Sequence, residues 1–329
     1  MRNFIIRRVI LGLFITFFGA MLSYTVIRSL PTSYVESIAR QRASNPLSTK
    51  SYQEWLADLN KVYGLDKGII PGFFGWLGNA IQGDFGDSWH YAVPVTEKFA
   101  DVIWVSMILN VVTTLVQFFI AIPLGILAAR KQYSRTDYAI TIFALMGISL
   151  PTFFLATILK YVFAIKLQWF DLYGLTGRFH TTMTPIQQTL DIAYHLVLPV
   201  ITLMMLSIGG LMRYTRTNML EVLNSDYIRT ARAKGLPEKV VINKHAFRNT
   251  LIPLVTSLSG ILPGMFTGAL ITETLYQIPG IGYISFQAII RGDIPFAMFY
   301  IVFLILLTQV SILLSDILYA VVDPRIRVN

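Results

Sequence analysis

The sequence predicts an all-α integral membrane protein that crosses the bilayer six times and keeps both termini on the cytoplasmic side. Three observations predict it: a composition too apolar for a water-soluble fold, six apolar runs long enough to cross a membrane, and a one-sided distribution of lysine and arginine among the short connections.

The first rests on bulk numbers. Of 329 residues, 54% are hydrophobic and 14% charged, and the mean hydropathy is +0.60, against roughly 45–50% apolar and about 25% charged in soluble domains. Such a chain cannot hide its apolar surface around a core in water, so the bilayer is its main solvent. The formal net charge of +9 does not point to nucleic acid, because the basic residues sit in short loops rather than on one face of a soluble fold. The absence of cysteine excludes disulfides, thiolate metal sites and a cysteine nucleophile.

The six runs are Val9–Leu30, Val102–Ala129, Tyr138–Ile165, Leu196–Met212, Leu251–Thr272 and Ala297–Val322, each matched to a hydrocarbon layer of about 30 Å. The first is longer than a signal-peptide core and has no small-x-small cleavage pattern after it, so it reads as a retained helix. Pro123, Pro151, Pro199 and Pro263 fall in or near these runs and are expected to kink helices rather than end them. Span centres are nearly free of charge. Arg28, Lys160, Glu273 and Asp316 lie toward span ends, where snorkelling to the interface is expected.

Orientation follows from the basic residues. Arg2, Arg7 and Arg8 precede the first run, Arg130, Lys131 and Arg135 join the second to the third, and Arg325 and Arg327 close the chain. The connection from Arg213 to Arg248 adds Arg216, Arg229, Arg232, Lys234, Lys239 and Lys244. With six spans these segments share one side, which the charge rule makes cytoplasmic. Segments Pro31–Ala100, Lys166–Tyr194 and Tyr276–Pro295 are then outside. A thiol placed at Ser88 is expected to be reached from outside, and one at Ser134 only from within. The chain divides accordingly: a tail and first helix over 1–30, an external segment over 31–100, and a five-helix core over 101–329 with a cytoplasmic loop at about 213–250. In the external segment Tyr52, Trp55, Leu56, Leu59, Val62 and Tyr63 recur at helical spacing. Ser51 and Glu54 fit a capping box, and Gly64 stands at the stop.

No phosphate-binding loop, zinc-protease motif or serine–histidine constellation occurs, so the chain shows no chemistry of its own. A transporter of this kind draws on an ion gradient or a partner ATPase; a channel needs neither. The charge-poor span centres and the lack of a repeat between the halves favour coupling to a partner. The loop Asn224–Arg248 is the most informative stretch. On a helix Ala231 and Gly235, four apart, share a face where another surface can approach closely, ringed by Arg229, Arg232, Lys234 and Lys239. The same residues also suit a plain basic inside loop.

The run Asp226-Tyr227-Ile228-Arg229-Thr230-Ala231-Arg232-Ala233-Lys234-Gly235 resembles the EAA loop of ABC importer permeases, in the form used by the oligopeptide, dipeptide and nickel group. Ala231 and Gly235 keep the pattern, while Arg229 and Thr230 replace its first two residues. His245, Phe247 and Arg248 stand where isoleucine, leucine and proline would, as in the peptide/nickel subgroup, within His245-Ala246-Phe247-Arg248-Asn249. Gly83–Ser88 resembles the family's G-D-F-G-x-S, Glu273–Gly282 its outer P-G-x-G turn, and Asp323–Arg327 its C-terminal ending. The long connection after the first span is similar to that of the B-type subunit.

The resemblance implies a type I ABC importer permease in the cytoplasmic (inner) membrane. It implies pairing with a homologous C-type permease, two cytoplasmic ATPases and an extracytoplasmic substrate-binding protein, with peptide as cargo and no nucleic acid. No cofactor is expected in this chain, ATP and Mg2+ being held by the ATPases. Asp226, Arg229, Thr230, Ala231, Arg232, Gly235, His245 and Arg248 would form the coupling loop. Glu273, Tyr276, Pro279, Gly280 and Gly282 would form an outer gate or binding-protein contact. Ser257, Ser259, Gly260, Gly264, Thr267, Gly268 and Thr272, small or hydroxylated, would line the pathway or serve close helix packing. Nickel import is the alternative within the family, although His90, His180 and His195 lack a metal spacing. A gradient-driven transporter or channel is the alternative outside it.

Overall fold

The structure, a computed structural model, describes residues 2–30, 34–250 and 261–322, with side chains over 4–30, 34–250 and 263–317. The described helices begin with α1 (Arg2–Ser29), α2 (Tyr34–Ala43), α3 (Tyr52–Val62), α4 (Ile69–Ile81), α5 (Val95–Arg130) and α6 (Arg135–Ser149). Next come α7 (Thr152–Leu159, continued as a π-helix over Lys160–Lys166), α8 (Pro185–Leu223), α9 (Asp226–Ala233) and α10 (Glu238–Val240, continued as a π-helix over Val241–Ala246). The chain ends with α11 (Ile261–Phe266), α12 (Leu270–Tyr276), α13 (Ile281–Arg291) and α14 (Ile294–Val322).

Four of these, α1, α5, α8 and α14, are each long and apolar enough to cross a membrane. The run expected as one span over Tyr138–Ile165 is instead α6 and α7, bent by 105°. Pro151 is the reason. It precedes the first residue of α7 and has no N–H to continue the ladder, and it holds Leu150 extended at φ −86°, ψ 130°. Pro123 and Pro199 do lie inside continuous helices, as expected. The run Leu251–Thr272 is described only from Ile261. There α11 stops at Phe266, Gly268 turns with φ +73°, and α12 starts at Leu270, so this run does not end as one continuous helix.

The core is built from helix crossings. Helix α8 runs along α5 and α6. A Cβ on Gly209 would collide with the Ala144 carbonyl, and one on Gly147 with the Met205 carbonyl; glycine there lets the backbones of α6 and α8 touch. Helix α1 packs on α14 and α4, joining Ala20, Tyr24 and Ile27 to Phe73, Ala297 and Met298.

The segment over 31–100 holds more helix than its periodicity indicates. Helix α3 forms as expected, with Ser51 as N-cap and the Ser51–Glu54 capping box closed, and Gly64 follows at φ +64°. The backbone hydrogen bond from Ser51 holds the Glu54 carboxyl below the usual carboxylate range. Helices α2 and α4 carry weaker signals; α2 packs on α3 through Val35, Ala39 and Leu59.

Ser88, expected to be accessible, is 1% exposed, and its hydroxyl donates to Asp293 Oδ2 at 2.5 Å. Leu47, 88% exposed, and Gln132, exposed between α5 and α6, are better reporters. Leu47→Cys is expected to react with an impermeant thiol reagent on intact cells, and Gln132→Cys only after permeabilisation. The reverse pattern would invert the orientation.

Candidate functional site

Three places gather the residues singled out above: the α9–α10 loop, the α12 turn, and an open cleft between α5 and α8.

In the loop, α9 is amphipathic. Ile228 is fully buried and Ala231 is 7% exposed; they pack with Ala129 at the end of α5, Met219 on α8, and Val241, Ile242 and Ala246 of α10. Asp226, Tyr227, Arg229, Thr230 and Arg232 are exposed. The expectation that Ala231 and Gly235 share one helix face is corrected here: α9 ends at Ala233, and Gly235 lies beyond it at φ +73°, a left-handed turn position that favours glycine. Apart from its two neighbours in the chain, no atom of the described residues comes within 4 Å of where its Cβ would be. Ala231 therefore faces inward and Gly235 outward.

Arg232 bridges that turn, its Nη2 donating to Glu238 Oε1 at 2.8 Å and its Nε to Oε2 at 3.2 Å. The hydrogen bond holds the Glu238 carboxyl below the usual carboxylate range and raises the guanidinium's own pKa. Both groups are half-exposed, so the pair contributes about 0–1 kcal/mol. Arg229 pairs with Asp226 at 3.5 Å, fully in solvent. Further on, His245 is half-buried and Arg248 exposed, and the His245 carbonyl accepts from Asn249 Nδ2. The sequence reading passed over Tyr227, an exposed aromatic on the outer face of α9; aromatic residues at such places often anchor interfaces.

At the α12 turn, Glu273, Tyr276, Gly280 and Gly282 are buried and only Pro279 of the five expected residues is exposed. The first four therefore do not form a surface contact in this conformation. Glu273, expected to snorkel, is 0% exposed. It accepts hydrogen bonds from Ser106 Oγ on α5 at 2.6 Å and from the backbone N–H groups of Ala269 and Tyr283 at 2.9 Å. Ser106 Oγ in turn accepts from the Ile281 N–H at 2.7 Å. Lys160 is also buried, with Nζ donating to the Leu275 carbonyl at 2.5 Å and lying 3.9 Å from the Tyr173 ring centre. The Tyr276 hydroxyl is 3.0 Å from Thr202 Oγ1 on α8. A short helix is thus pinned to α5, α7, α8 and α13 by the partnered side chains of Glu273, Ser106, Lys160 and Tyr276, while the buried Thr272 hydroxyl on the same helix has no partner among the described residues. Of the other two charges expected to snorkel, Arg28 donates to the Leu65 and Lys67 carbonyls, and Asp316 pairs with Arg8 at 3.1 Å.

The expected pathway residues disperse. Ser257, Ser259 and Gly260 lie outside the described residues. Thr272 is buried, Gly268 packs on the Gly282 backbone, and the Thr267 hydroxyl donates to the Pro263 carbonyl. Gly264 borders a cleft of about 780 Å3 whose polar walls come from elsewhere: Asn110, Thr113, Thr114 and Gln117 of α5, and Ser207, Gly210 and Tyr214 of α8. Positions 110, 113, 114 and 117 form one helical stripe within an apolar span, a pattern present in the sequence but not used. Among the described residues no charged side chain lines this cleft.

The histidines are otherwise engaged. His180 Nδ1 lies 2.7 Å from Asp191, His195 Nε2 lies 3.0 Å from Asp171, and His90 contacts Arg291. Among the described residues no group of three histidine, aspartate or glutamate side chains is arranged to hold a metal ion.

Comparison with known proteins gives a consistent picture. The family of binding-protein-dependent transport system inner membrane components matches residues 121–328. The chain is similar to the oligopeptide transport system permease protein AppB of Bacillus subtilis, 35% identical over 99% of this chain and 100% of the relative. Similarity extends to the oligopeptide permease protein OppB of Salmonella typhimurium, 33% identical over 99% and 100%. The di/tripeptide permease protein DppB of Pseudomonas aeruginosa is 34% identical over 99% of each chain.

Proposed function

The chain belongs to the family of binding-protein-dependent transport system inner membrane components, and from that premise we propose that it is the B-type permease subunit of an ATP-driven importer of oligopeptides or dipeptides. The similarity to peptide permeases favours peptide over nickel as cargo. A homologous C-type permease supplies the other half of the passage, two cytoplasmic ATPases bind and hydrolyse ATP with Mg2+, and an extracytoplasmic binding protein delivers the peptide. In this reading the chain crosses the inner membrane six times with both termini inside, the fifth crossing including the segment before α11.

One observation carries the mechanism. The buried face of α9 is keyed through Ile228 and Ala231 to the ends of α5 and α8, the two helices that wall the cleft. An ATPase seated on the exposed face, at Tyr227, Thr230 and Gly235 with Arg229 at its rim, therefore moves α5 and α8 when it closes on ATP. The described walls of the cleft offer amides and hydroxyls to a peptide backbone and no fixed charge to its side chains. At the other end, the Glu273 hub ties α12 and α13 to α5, so the outer gate follows the same helix.

The test is reconstitution in liposomes. The isolated chain is expected to hydrolyse no ATP and to accumulate no labelled peptide, and uptake is expected only with the second permease, both ATPases, the binding protein and ATP. Uptake by the isolated chain along an ion gradient would overturn the proposal.

A further inference from the structure

We propose that a cavity between the Arg28 end of α1, helix α4 and the start of α14 is a binding site for the zwitterionic phosphoammonium headgroup of a membrane phospholipid. The cavity, about 420 Å3, is separate from the α5–α8 cleft and includes Arg28, Lys67, Asp84, Tyr63 and Trp89 in its walls.

The charges on the walls are complementary to such a headgroup. Arg28 is held in place by neutral partners: Nη2 donates to the Leu65 carbonyl at 3.1 Å and the Lys67 carbonyl at 3.0 Å, and Nη1 to the Tyr24 hydroxyl at 3.3 Å. Among the described residues no carboxylate lies within ion-pair distance of Arg28 or Lys67. Two positive charges thus share a cavity without an ion-pair partner of their own, the arrangement that receives a phosphate. Asp84, whose Oδ1 accepts from the Gly86 N–H at 2.9 Å, supplies the opposite charge in the same wall. The Tyr63 and Trp89 rings, 4.9 Å apart, line the same cavity. A carboxylate with aromatic faces suits an ammonium group.

Position favours a lipid over a free zwitterion such as a short peptide. Helix α4 has 13 residues, too few to cross a bilayer, yet exposes Ile70, Phe74 and Ile81. On the face of α1 that carries Tyr24 and Arg28, the Phe17 ring lies 6.4 Å from that of the exposed Phe74 of α4, an apolar surface on which an acyl chain can lie below its headgroup. Tryptophan and tyrosine beside basic residues at a helix end mark the membrane–water boundary, where such pockets take lipid headgroups.

The experiment uses the complete complex in mild detergent with a photoreactive phosphatidylethanolamine, the label mapped by mass spectrometry. Labelling is expected on α1 and α4, at least fivefold weaker in Lys67→Gln and in Asp84→Asn, restored in Lys67→Arg, and reduced by excess glycerophosphoethanolamine. Arg28 is left intact because it holds the Leu65–Lys67 turn; co-purification of the partner subunits checks that each variant folds. Unchanged labelling in both variants overturns the proposal. So does equal labelling by photoreactive phosphatidylglycerol, which removes any role for Asp84, or displacement of the label by dialanine, which assigns the cavity to peptide.

Discussion

Gly235→Trp is expected to lower ATP-driven peptide uptake about tenfold or more in membranes holding equal amounts of permease. The tenfold corresponds to about 1.4 kcal/mol of lost ATPase docking, a modest demand for a bulky ring at a close contact. The side chain has room among the described residues, since apart from its chain neighbours none of them lies within 4 Å of the Cβ position. What it meets is a partner, or nothing. The backbone at φ +73° adds a strain of roughly 1–2 kcal/mol for a residue with a Cβ, so size must be separated from conformation. Gly235→Ala carries a comparable backbone strain without the bulk, and is expected to keep most of the uptake. Asn243→Trp, exposed on α10, controls for an added ring elsewhere on the loop. Co-purification of the ATPases should fall with uptake in the tryptophan variant alone. Equal losses in Gly235→Ala and Gly235→Trp would instead make the turn a structural requirement and refute the docking assignment.

Glu273→Leu is expected to destabilise the permease by about 3–5 kcal/mol, because it removes the acceptor for one buried and two part-buried donors at once. Ser106, Ala269 and Tyr283 would all lose their partner. Glu273→Gln has nearly the same shape but brings an NH2 group where a carboxylate accepts on both oxygens. One donor must then face another, at a cost of about 1–3 kcal/mol. Ser106→Ala should fall in a similar range, since it also strands the Ile281 N–H. The measurement is thermal aggregation of the detergent-solubilised complex, followed by size exclusion. A leucine variant as stable as wild type would show that the hub holds nothing together. Stable glutamine and alanine variants with impaired uptake would place its importance in gating rather than in folding.

The spans α1, α5, α8 and α14 were legible because a bilayer imposes length and apolarity on any helix that crosses it, and both are read directly from residues. Helix α3 was legible for a local reason: Ser51, Glu54 and Gly64 act within a few residues of one another. The bend at Pro151 needed more than the sequence reading used, since Pro123 and Pro199 sit inside intact helices. Whether a proline kinks or ends a span depends on which neighbours satisfy the freed carbonyls. The polar stripe of Asn110, Thr113, Thr114 and Gln117 was readable at helical spacing, but its facing wall at Ser207, Gly210 and Tyr214 comes from a helix about a hundred residues away. The sequence by itself determined the solvent of this protein, the helical character of its spans and, through local motifs, its family. Tertiary structure alone decided that Glu273 and Lys160 are buried hub residues rather than snorkelling ones, that Ala231 faces in while Gly235 faces out, and that the cleft lies between α5 and α8. The physical reason is that a charge's fate depends on the donors and acceptors that packing brings to it across long separations, as from Ser106 to Glu273, and a one-dimensional pattern does not contain those distances.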